Sequence, residues 1–422
     1  MTGVVDDGLK GVPPGTPAFP FEALGSRGWH ALRDLMPPFA LLKRSALDAN
    51  RAFLKRLLHA TGALYAPHGK TTMSPELFRL QLEDGAWGIT LATAGQVAQA
   101  RRFGVARVLL ANEVADRHGL CFLADELRRD TGFELVAYVD SVDGVRLWQE
   151  ALREAPRPLP VLLEVGFAGG RAGCRDVDAA LAVARMVQRA PALRLVGVAG
   201  FEGLLHRESA AEEAAAVAAF VAQIGATARA LDAARLFASG EILLSAGGSA
   251  FYDLVAAGLD GARFSQPHRV VLRSGCALVH DDGTYARAFA RVAERWPAVR
   301  SLGPPPRAAL EVWAAVLSRP EPARVVAGLG KRDASHDGEL PRPLAWFRPG
   351  EHAAPAALAW PLATAALNDQ HALLDTGADT PLRPGDLVGF GISHPCLTFD
   401  RWRAFFVVDD AYRVVGGART FF

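Results

Sequence analysis

The distribution of apolar and polar residues predicts alternating strands and helices between residues 45 and 275. Eight short runs rich in Val, Leu, Ile and Ala lack polar alternation, which is typical of parallel strands covered on both faces. These runs begin at residues 63, 88, 107, 133, 159, 193, 241 and 269. Segments of helical length separate each of the first seven runs from the next one. Eight such units favour a (β/α)8 TIM-type barrel over an open doubly wound sheet, which is the alternative architecture.

Helix start and stop signals around the first predicted strand support this interpretation. Apolar residues recur at helical spacing between Ser45 and Gly62, so Ser45 is predicted to cap this helix and Gly62 to end it. The helix that follows the strand is predicted to have Ser74 as its N-cap and Pro75 as its first residue, because proline is tolerated at that position. Both helices therefore fit the repeated strand–helix unit.

The pattern changes on both sides of the barrel region. Residues 1–44 are rich in Pro and Gly and contain one strand-like run at 37–42. After residue 275 prolines cluster and short β-like runs recur, which indicates a second, mainly β domain. The predicted organisation is an N-terminal segment (1–44) that joins the β domain, a barrel (45–275), and the mainly β domain itself (276–422).

Composition and charge exclude several classes of function. The 46 Lys and Arg residues nearly balance the 45 Asp and Glu residues, so net charge gives no reason to expect a nucleic acid or an anionic membrane as partner. We expect no signal peptide and no membrane span, because no apolar run has the required length. The four cysteines are far apart and form no CxxC pair, which predicts a reducing, cytoplasmic location.

The ends of the predicted barrel strands carry the candidate chemistry, because barrel enzymes place their active sites there. The first strand ends at Lys70, where partial desolvation would free an amine to attack an aldehyde. The seventh strand ends in Gly247, Gly248 and Ser249 before a predicted helix, and backbone N–H groups in such a turn can bind phosphate. The eighth strand supplies Arg273 nearby. A solvated lysine and a simple tight bend are the alternatives, and finding both features together favours a site.

A second candidate site lies near the C-terminus, where His394 and Cys396 are two residues apart. In an extended segment both side chains face the same side, so an imidazole and a thiolate could share a metal such as zinc. Two protein ligands would leave positions open for substrate. A packed histidine beside a buried cysteine is the alternative.

Two long motifs resemble those of a known enzyme family. The segment APHGKTTMSPELFRLQLEDGAWGITLAT, which contains Lys70, resembles the lysine segment of the D-serine dehydratase and D-threonine aldolase family. These are alanine-racemase-like (fold type III) pyridoxal 5'-phosphate enzymes. The C-terminal run SHPCLTFDRWRAFFVVDDAYRVVGGARTFF resembles the tail of the dehydratase, or "amino acid deaminase", branch. The likeness extends from about Leu41 to Phe422 and implies a barrel with a β domain, in a homodimer with its active site at the subunit interface.

The resemblance implies roles for the residues that bind the cofactor. Lys70 matches the Schiff-base lysine, and Arg171 in EVGFAGGRAG matches an arginine near the cofactor ring. Gly247 and Gly248, followed by Ser249, match the phosphate-binding turn. The chain is thus expected to bind pyridoxal 5'-phosphate.

The resemblance also implies a metal and a reaction. His394 and Cys396 match the zinc ligands of the dehydratases, whereas the aldolase branch typically has aspartate in place of Cys396. Phe201 and Gly166 depart from a tyrosine and an aspartate that are common in relatives. The expected reaction is a zinc-dependent elimination that converts a β-hydroxy D-amino acid, such as D-serine, to a 2-oxo acid and ammonia.

Three other functions are compatible with these motifs. The first is a D-threonine aldolase, which would cleave its substrate to glycine and an aldehyde. The second is an amino acid racemase, which needs no metal, and the third is a non-catalytic pyridoxal phosphate-binding protein. The segments containing His336, Asp337 and His371 also resemble family motifs, with a place near the site and a structural role as the two alternatives.

Overall fold

The computed structural model describes residues 3–261 and 263–422 of the chain. Its first elements are short and precede the barrel: β1 (Val4–Val5), β2 (Phe19–Pro20), α1 (Ala31–Asp34) and β3 (Phe39–Lys43). Strands β1 and β2 pair with each other in an antiparallel ribbon. Strand β3 is almost entirely buried and pairs instead with the C-terminal part of the chain, as described below.

Eight parallel strands form the barrel, and each arises from one of the apolar runs that the sequence analysis identified. They are β4 (Leu64–Tyr65), β5 (Ile89–Leu91), β6 (Arg107–Leu110), β7 (Glu134–Val139), β8 (Leu159–Val165), β9 (Leu193–Gly200), β10 (Ile242–Ala246) and β11 (His268–Leu272). From β5 to β11, strands consecutive in sequence are neighbours in the sheet, and β11 returns to pair with β4. A parallel bridge between His68 and Thr90 joins the end of β4 to β5 and closes the barrel. The predicted barrel is confirmed.

Helices cover the outside of the barrel. They are α2 (Arg44–Thr61), α3 (Pro75–Glu83), α4 (Ala94–Arg102), α5 (Arg117–Arg129), α6 (Val142–Ala151), α7 (Val177–Arg189), α8 (Ala210–Ala233) and α9 (Tyr252–Asp260). Each presents apolar residues to the strands, so the main core lies between the two layers. A second layer of apolar side chains fills the barrel interior.

The helix signals were right in part. Gly62 ends α2 in the left-handed conformation, at φ +65°, and Pro75 is the first residue of α3. The prediction that Ser45 caps α2 is wrong, because the helix already begins at Arg44 with Lys43 in the N-cap position. The Ser45 hydroxyl donates instead to Asp410, at 2.6 Å. Strand β3 runs directly into the helix, which leaves no turn for Ser45 to cap.

Helix α8 is, within residues 3–261 and 263–422, the one helix with the length and apolar composition of a membrane span. Its side chains Val217, Phe220 and Ile224 are buried in the main core against the barrel. Core helices meet the same two criteria, so length and composition alone are weak evidence for a span.

The C-terminal region is mainly antiparallel β structure. Its elements are α10 (Thr284–Arg295), β12 (Leu310–Glu321), β13 (Arg324–Ala327), β14 (Arg342–Phe347), β15 (Ala356–Ala357), β16 (Leu362–Leu367), β17 (Ala372–Thr376), β18 (Leu387–Gly391), α11 (Cys396–Asp400), β19 (Ala404–Val408) and β20 (Val414–Arg419). Strand β3 lies between β12 and β19, antiparallel to the first and parallel to the second. The N-terminal segment therefore contributes an internal strand to this sheet. The predicted barrel with a mainly β domain is confirmed as the fold class.

The C-terminal strands and tail also fasten this domain to the barrel. Arg419 on β20 forms an ion pair with Glu76 at the start of α3, and the Phe421 N–H donates to the Met73 carbonyl at 3.0 Å. Helix α11 lies against the loop that follows β4. These contacts hold the β domain over the carboxyl ends of the barrel strands, where barrel active sites are built.

Candidate active site

A cleft of about 370 Å³ opens where the barrel rim meets the β domain. Six of the seven residues that the sequence analysis selected line it: Lys70, Gly247, Gly248, Ser249, His394 and Cys396. The first four come from the barrel and the last two from the β domain. The fold thus brings the two candidate sites, separated by 145 or more positions in the chain, into one cavity.

Lys70 lies in a single turn of 3-10 helix, Gly69–Thr71, directly after β4. Gly69 is required there, because a Cβ atom would lie 2.6 Å from the Phe78 ring and 2.8 Å from Ile89. The tight turn leaves the Lys70 side chain exposed to the cleft. Its amine is accessible to an incoming aldehyde or amino acid.

His68, two residues before Lys70, also lines the cleft. Burial holds the pKa of the His68 imidazole well below its usual range, and the positive charges of Lys70, Arg273 and Arg171 lower it further. The ring is therefore neutral, and its Nδ1 has no hydrogen-bond partner within the described part of the chain. The positive charges of three side chains therefore add up near His68, and their combined potential favours an anionic ligand in this part of the cleft.

The glycine turn after β10 already binds an anionic group of the protein. The Gly247 N–H donates to the Glu202 carboxylate at 3.0 Å, and the Gly248 N–H donates to the other oxygen of that carboxylate. A Cβ atom on Gly248 would collide with this carboxylate, and one on Gly247 would lie 2.8 Å from the Arg273 Cβ. Two converging N–H groups that hold a carboxylate form a site suited to an anion such as phosphate.

Arg273 adds a further donor to this turn. Its Nη2 donates to the Gly200 carbonyl, while its buried Nε has no partner among residues 3–261 and 263–422. The nearby Ser274 hydroxyl donates to the Ser249 hydroxyl at 2.7 Å. The residues present therefore fit a phosphate group, and Glu202, which carries no motif that would single it out in the sequence, occupies the turn in this structure.

One detail of the predicted turn is wrong. The glycines do not run straight into a helix, since α9 begins only at Tyr252 after a short irregular segment. The helix N-terminus is correspondingly farther from Gly248 than the sequence suggested. Anion binding at this turn rests on the two backbone N–H groups and Arg273, and the helix dipole contributes less than expected.

Arg171 lies at the rim and is the one selected residue that does not line the cleft. It belongs to the exposed loop after β8, and its guanidinium lies 4.5 Å above the ring of Phe201, which does line the cleft. Gly166 at the start of the same loop has no room for a side chain, because a Cβ atom would collide with the Ala172 carbonyl oxygen. A glycine is thus required at position 166 by this loop's backbone. A role for Arg171 beside the cofactor ring stays a prediction.

A buried group of carboxyls lies behind this rim. Burial, together with the charges of Asp140 and Glu164, raises the pKa of Glu113 to about 9. Burial also raises the pKa of Glu164, although Arg273 and Arg171 oppose this effect. At neutral pH Glu113 is therefore protonated and can donate a hydrogen bond to Glu164.

Two cysteines meet on the β-domain side of the cleft. The Sγ atoms of Cys276 and Cys396 are 3.9 Å apart, and the Thr71 Oγ1 is 4.0 Å from the first and 3.5 Å from the second. Cys276 is almost fully buried, whereas Cys396 is partly accessible. None of the four cysteines forms a disulfide.

Cys396 and His394 form a charged pair. A hydrogen bond from Cys276 is the largest influence that holds the pKa of Cys396 well below its usual range, and hydrogen bonds from His394 and Thr71 act in the same direction. The contact with Cys396, reinforced by Asp337, raises the pKa of His394 to about 9. Both shifts favour a thiolate on Cys396 and an imidazolium on His394.

The local backbone differs from the extended segment that the sequence suggested. His394 adopts a left-handed conformation at φ +54°, and Cys396 begins the short helix α11. The Asp281 carboxylate accepts the His394 N–H at 2.8 Å and stabilises this turn. The prediction of an extended segment is wrong, yet the turn still directs both side chains into the cleft.

The donor set suits a soft divalent metal, although a complete site is not formed. No three His, Cys, Asp or Glu side chains converge as a metal site within the described ranges. The His394 Nδ1 lies 2.6 Å from the Asp337 carboxylate, as is usual for metal-binding histidines, which leaves Nε2 to bind a metal. A thiolate and an imidazole are ligands that zinc prefers. Asp337 is thus close to the site, whereas His371 lies exposed in the turn between β16 and β17.

Two family models match the chain. Residues 44–260, just over half of its length, match "Alanine racemase, N-terminal domain", and residues 309–408 match "Putative serine dehydratase domain". The chain belongs to the alanine racemase N-terminal domain family. This result confirms the resemblance to alanine-racemase-like pyridoxal 5'-phosphate enzymes.

Individual relatives and solved structures agree with this membership in the alanine racemase N-terminal domain family. The chain is 25% identical to the D-threonine aldolase of Arthrobacter sp. over 414 residues, 97% of this chain and 96% of that protein. It is 30% identical over 246 residues to the D-threo-3-hydroxyaspartate dehydratase of Delftia sp. (strain HT23), which covers 53% of this chain and 63% of that protein. The solved D-threonine aldolase of Filomicrobium marinum covers 92% of this chain and 95% of its own, with a TM-score of 0.75 and 22% identity.

One further solved structure bears on metal binding in relatives. It is a cysteine-to-alanine mutant of a D-threo-3-hydroxyaspartate dehydratase, described as the metal-free form, with a TM-score of 0.70, 20% identity and coverage of 92% and 98% of the two chains. The relatives of this family member include both aldolases and dehydratases. The prediction that the chain is a pyridoxal 5'-phosphate-dependent lyase is confirmed, while these relatives do not resolve which of the two reactions it catalyses.

Proposed function

We propose that this protein is a pyridoxal 5'-phosphate- and metal-dependent dehydratase that converts a β-hydroxy D-amino acid to a 2-oxo acid and ammonia. The observation that carries the proposal is the composition of one cleft. An accessible amine and an anion-binding turn lie on its barrel side, and a thiolate–imidazolium pair lies on its β-domain side. Each of these groups has a separate task in an elimination.

The barrel side fits the cofactor. In the proposal the N–H groups of Gly247 and Gly248 and the Nε of Arg273 bind the phosphate, after Glu202 has left the turn. Lys70 would hold the cofactor through its Nζ, which lies accessible in the cleft. Bound pyridoxal 5'-phosphate makes the Cα proton of an attached amino acid acidic, which is the cofactor's own contribution. The released Lys70 amine then accepts that proton.

The residue assigned to the cofactor ring bears on how well the cofactor alone can promote loss of the β-hydroxyl. We assign Arg171, which stacks on Phe201 at the rim, to the neighbourhood of the cofactor ring. A guanidinium stays protonated in proteins and does not transfer a proton to a ring nitrogen. Departure of a β-hydroxyl therefore needs assistance from another group.

The β-domain side supplies that assistance in the proposal. A zinc or another divalent metal on His394 and Cys396 would act as a Lewis acid toward the β-hydroxyl and make hydroxide a viable leaving group. Its support is the soft donor pair itself, together with the metal-free form recorded for a cysteine mutant of a dehydratase relative. Asp337 orients the imidazole from its other nitrogen.

A D-threonine aldolase is the second candidate function. The observation in its favour is the Arthrobacter relative, which aligns over 97% of this chain. The residue in favour of the dehydratase is Cys396, since the resemblance places aspartate at this position in the aldolase branch. Both reactions begin at the same amine and differ in whether a C–O or a C–C bond breaks.

Product analysis of the purified holoenzyme distinguishes the two. A panel of D- and L-serine, threonine and 3-hydroxyaspartate is incubated with and without zinc, and ammonia, 2-oxo acid, glycine and aldehyde are measured. The proposal predicts ammonia and 2-oxo acid in equal amounts from at least one D-isomer, dependent on metal. Glycine and aldehyde would establish the aldolase instead, and unimpaired racemisation after chelation would establish a racemase.

We also propose that the protein acts as a homodimer in the cytoplasm, as the family resemblance implies. Four free thiols are compatible with a reducing compartment. Light scattering on the holoenzyme tests the first part, with a mass near twice the 45.0 kDa of one chain as the expected result.

A further inference from the structure

The distance between the Sγ atoms of Cys276 and Cys396 in the cleft can be compared with the distance between two thiolates bound to one zinc ion. Two thiolates bound to one tetrahedral zinc, each about 2.3 Å from the ion, are about 3.8 Å apart. The Sγ atoms of Cys276 and Cys396 are 3.9 Å apart. They therefore already have the spacing of two ligands on the same ion, while no disulfide joins them.

Their positions in the chain make this spacing informative. Cys276 follows β11 in the barrel and Cys396 begins α11 in the β domain, 120 positions later. The loop that holds Cys276 is tightly packed, since a Cβ atom on the preceding Gly275 would lie 2.7 Å from the His68 carbonyl oxygen. Cys276 itself is 2% exposed. Packing of both domains thus directs a buried thiol toward the proposed metal ligand.

We propose that Cys276 is a third protein ligand of the metal, beside His394 and Cys396. The inference rests on the metal of the proposed function and adds a ligand to it. Two cysteines and one histidine with a fourth position open is an arrangement found in catalytic zinc sites, and the open position would take the substrate hydroxyl. A site with two protein ligands would hold its metal less firmly.

The arrangement without metal is consistent with this role. The three side chains form a row in which Cys396 contacts both Cys276 and His394. No three His, Cys, Asp or Glu side chains among the described residues are yet arranged as a metal site, so the three ligands would have to move when a metal binds. Metal binding would replace the thiol–thiolate hydrogen bond by two metal–sulfur bonds, with loss of the Cys276 proton and approach of His394 from the other end of the row.

A second sulfur has a consequence for metal choice. Soft thiolate ligands favour zinc and cobalt over magnesium, manganese and calcium, which prefer oxygen. A metal bound by two thiolates should therefore resist replacement by excess magnesium. An ion held by one thiolate, one imidazole and waters would exchange more readily.

The direct test is X-ray absorption at the zinc edge of the zinc-loaded wild-type holoenzyme. Two sulfur scatterers per zinc at about 2.3 Å are expected, with one nitrogen-type ligand from His394. One sulfur per zinc would overturn the inference and leave the proposed function intact. A protein that binds no zinc at all would refute both, so the two failures are distinguishable.

Cobalt substitution of variants gives an independent measurement. The thiolate-to-cobalt charge-transfer absorbance per bound cobalt should fall to about half in Cys276→Ser, and cobalt affinity should fall by at least about 10-fold. Cys121→Ser is the matched control, because Cys121 is an exposed thiol on α5 outside the cleft. Unchanged absorbance and affinity in Cys276→Ser would contradict the proposal. The visible absorbance of bound cofactor verifies that each variant has folded.

Discussion

The two sides of the cleft are built in different ways. On the barrel side Lys70, Gly247 and Gly248 each stand at the end of a strand, and the backbone within a few residues determines where they point. On the β-domain side His394 and Cys396 lie two positions apart, and Cys276 comes from the end of the barrel 120 positions before Cys396, so only the packing of two domains brings the two cysteines together. The barrel side already holds a carboxylate with two backbone N–H groups. The other side is a row of hydrogen-bonded side chains that could bind a metal.

This difference indicates how the chemistry is divided. Parallel strand ends meet at one rim in every barrel, so an amine and a phosphate turn placed there suit reactions shared by the whole fold. In the proposed function, the group that faces this rim from the β domain decides which substrate bond breaks. Changes to this group should alter the reaction without removing the cofactor.

The largest expected effect follows from removing the barrel-side amine. Lys70→Ala should lower turnover by a factor of about 10³ or more, because both the covalent attachment and the Cα base are lost. Borohydride reduction followed by peptide mapping should find the cofactor on Lys70 in the wild type and on no residue in the variant. Metal content should stay unchanged, since the metal ligands lie on the other side. A variant that still traps the cofactor would show that another lysine holds it.

Removal of the metal-side thiolate should have the next largest effect. Cys396→Ala should retain the cofactor absorbance but lose bound metal and lower turnover by a factor of about 10². Chelation of the wild type should reproduce this phenotype, and zinc should restore the wild type but not the variant. Full activity of the chelated wild type would remove the metal from the mechanism.

A change in the glycine turn should weaken the binding of the cofactor without abolishing it. In Gly248→Ala the new methyl group collides with the Glu202 carboxylate and displaces the turn. We expect about a 10-fold or greater loss of cofactor affinity, measured by titration of the apoenzyme. Gly95→Ala is the matched control, because a Cβ atom there has its nearest neighbour at 3.8 Å and Gly95 does not line the cleft. Equal affinities for the two variants would exclude the turn as the phosphate site.

The smallest expected effect concerns the buried carboxyls behind the rim. The pKa of Glu113 is raised to about 9 in the folded protein, so between pH 4.5 and 9 the folded state holds a proton that the unfolded state releases. The free energy of unfolding of the wild type should therefore fall as pH rises through this range. Glu113→Gln should remove this contribution and make the fall about 1 kcal/mol smaller between pH 6 and pH 7.

Urea unfolding of both proteins at the two pH values provides the measurement, and Glu83→Gln on the exposed face of α3 serves as the control. Parallel pH dependences for wild type and Glu113→Gln would show that Glu113 is ionised in the folded state. Such a result would leave both sides of the cleft as described.

Much of the architecture could be read from the chain, and the reasons are local. Continuous apolar runs predicted all eight barrel strands because both faces of each strand are covered. Lys70 and the glycine turn were found because a strand end has a known place in a barrel. The details that failed are also local: Ser45 does not cap α2, the glycines do not enter α9 directly, and His394 is in a left-handed turn.

Other parts of the site gave no signal in the sequence. Glu202 and Asp337 are ordinary carboxylates in the sequence, and only the fold places the first in the glycine turn and the second on the imidazole of His394. The two-residue spacing of His394 and Cys396 suggested that these side chains bind the same metal. It could not indicate that Cys276 lies beside them. No periodicity or motif relates residues whose only connection is that two domains pack against each other.

The sequence by itself therefore determined the barrel, the mainly β partner domain and the family, and it singled out the amine from which we propose that the chemistry starts. Short-range patterns suffice for these features, because strand burial, turns and motifs depend on neighbours along the chain. The tertiary structure alone decided which groups face that amine and how they are charged. The proximity of Cys276, Cys396 and His394 arises from the packing of β3, α11 and the C-terminal strands over the barrel rim. Hydrogen bonds among these side chains then lower the pKa of Cys396 and raise that of His394, against the effect of burial.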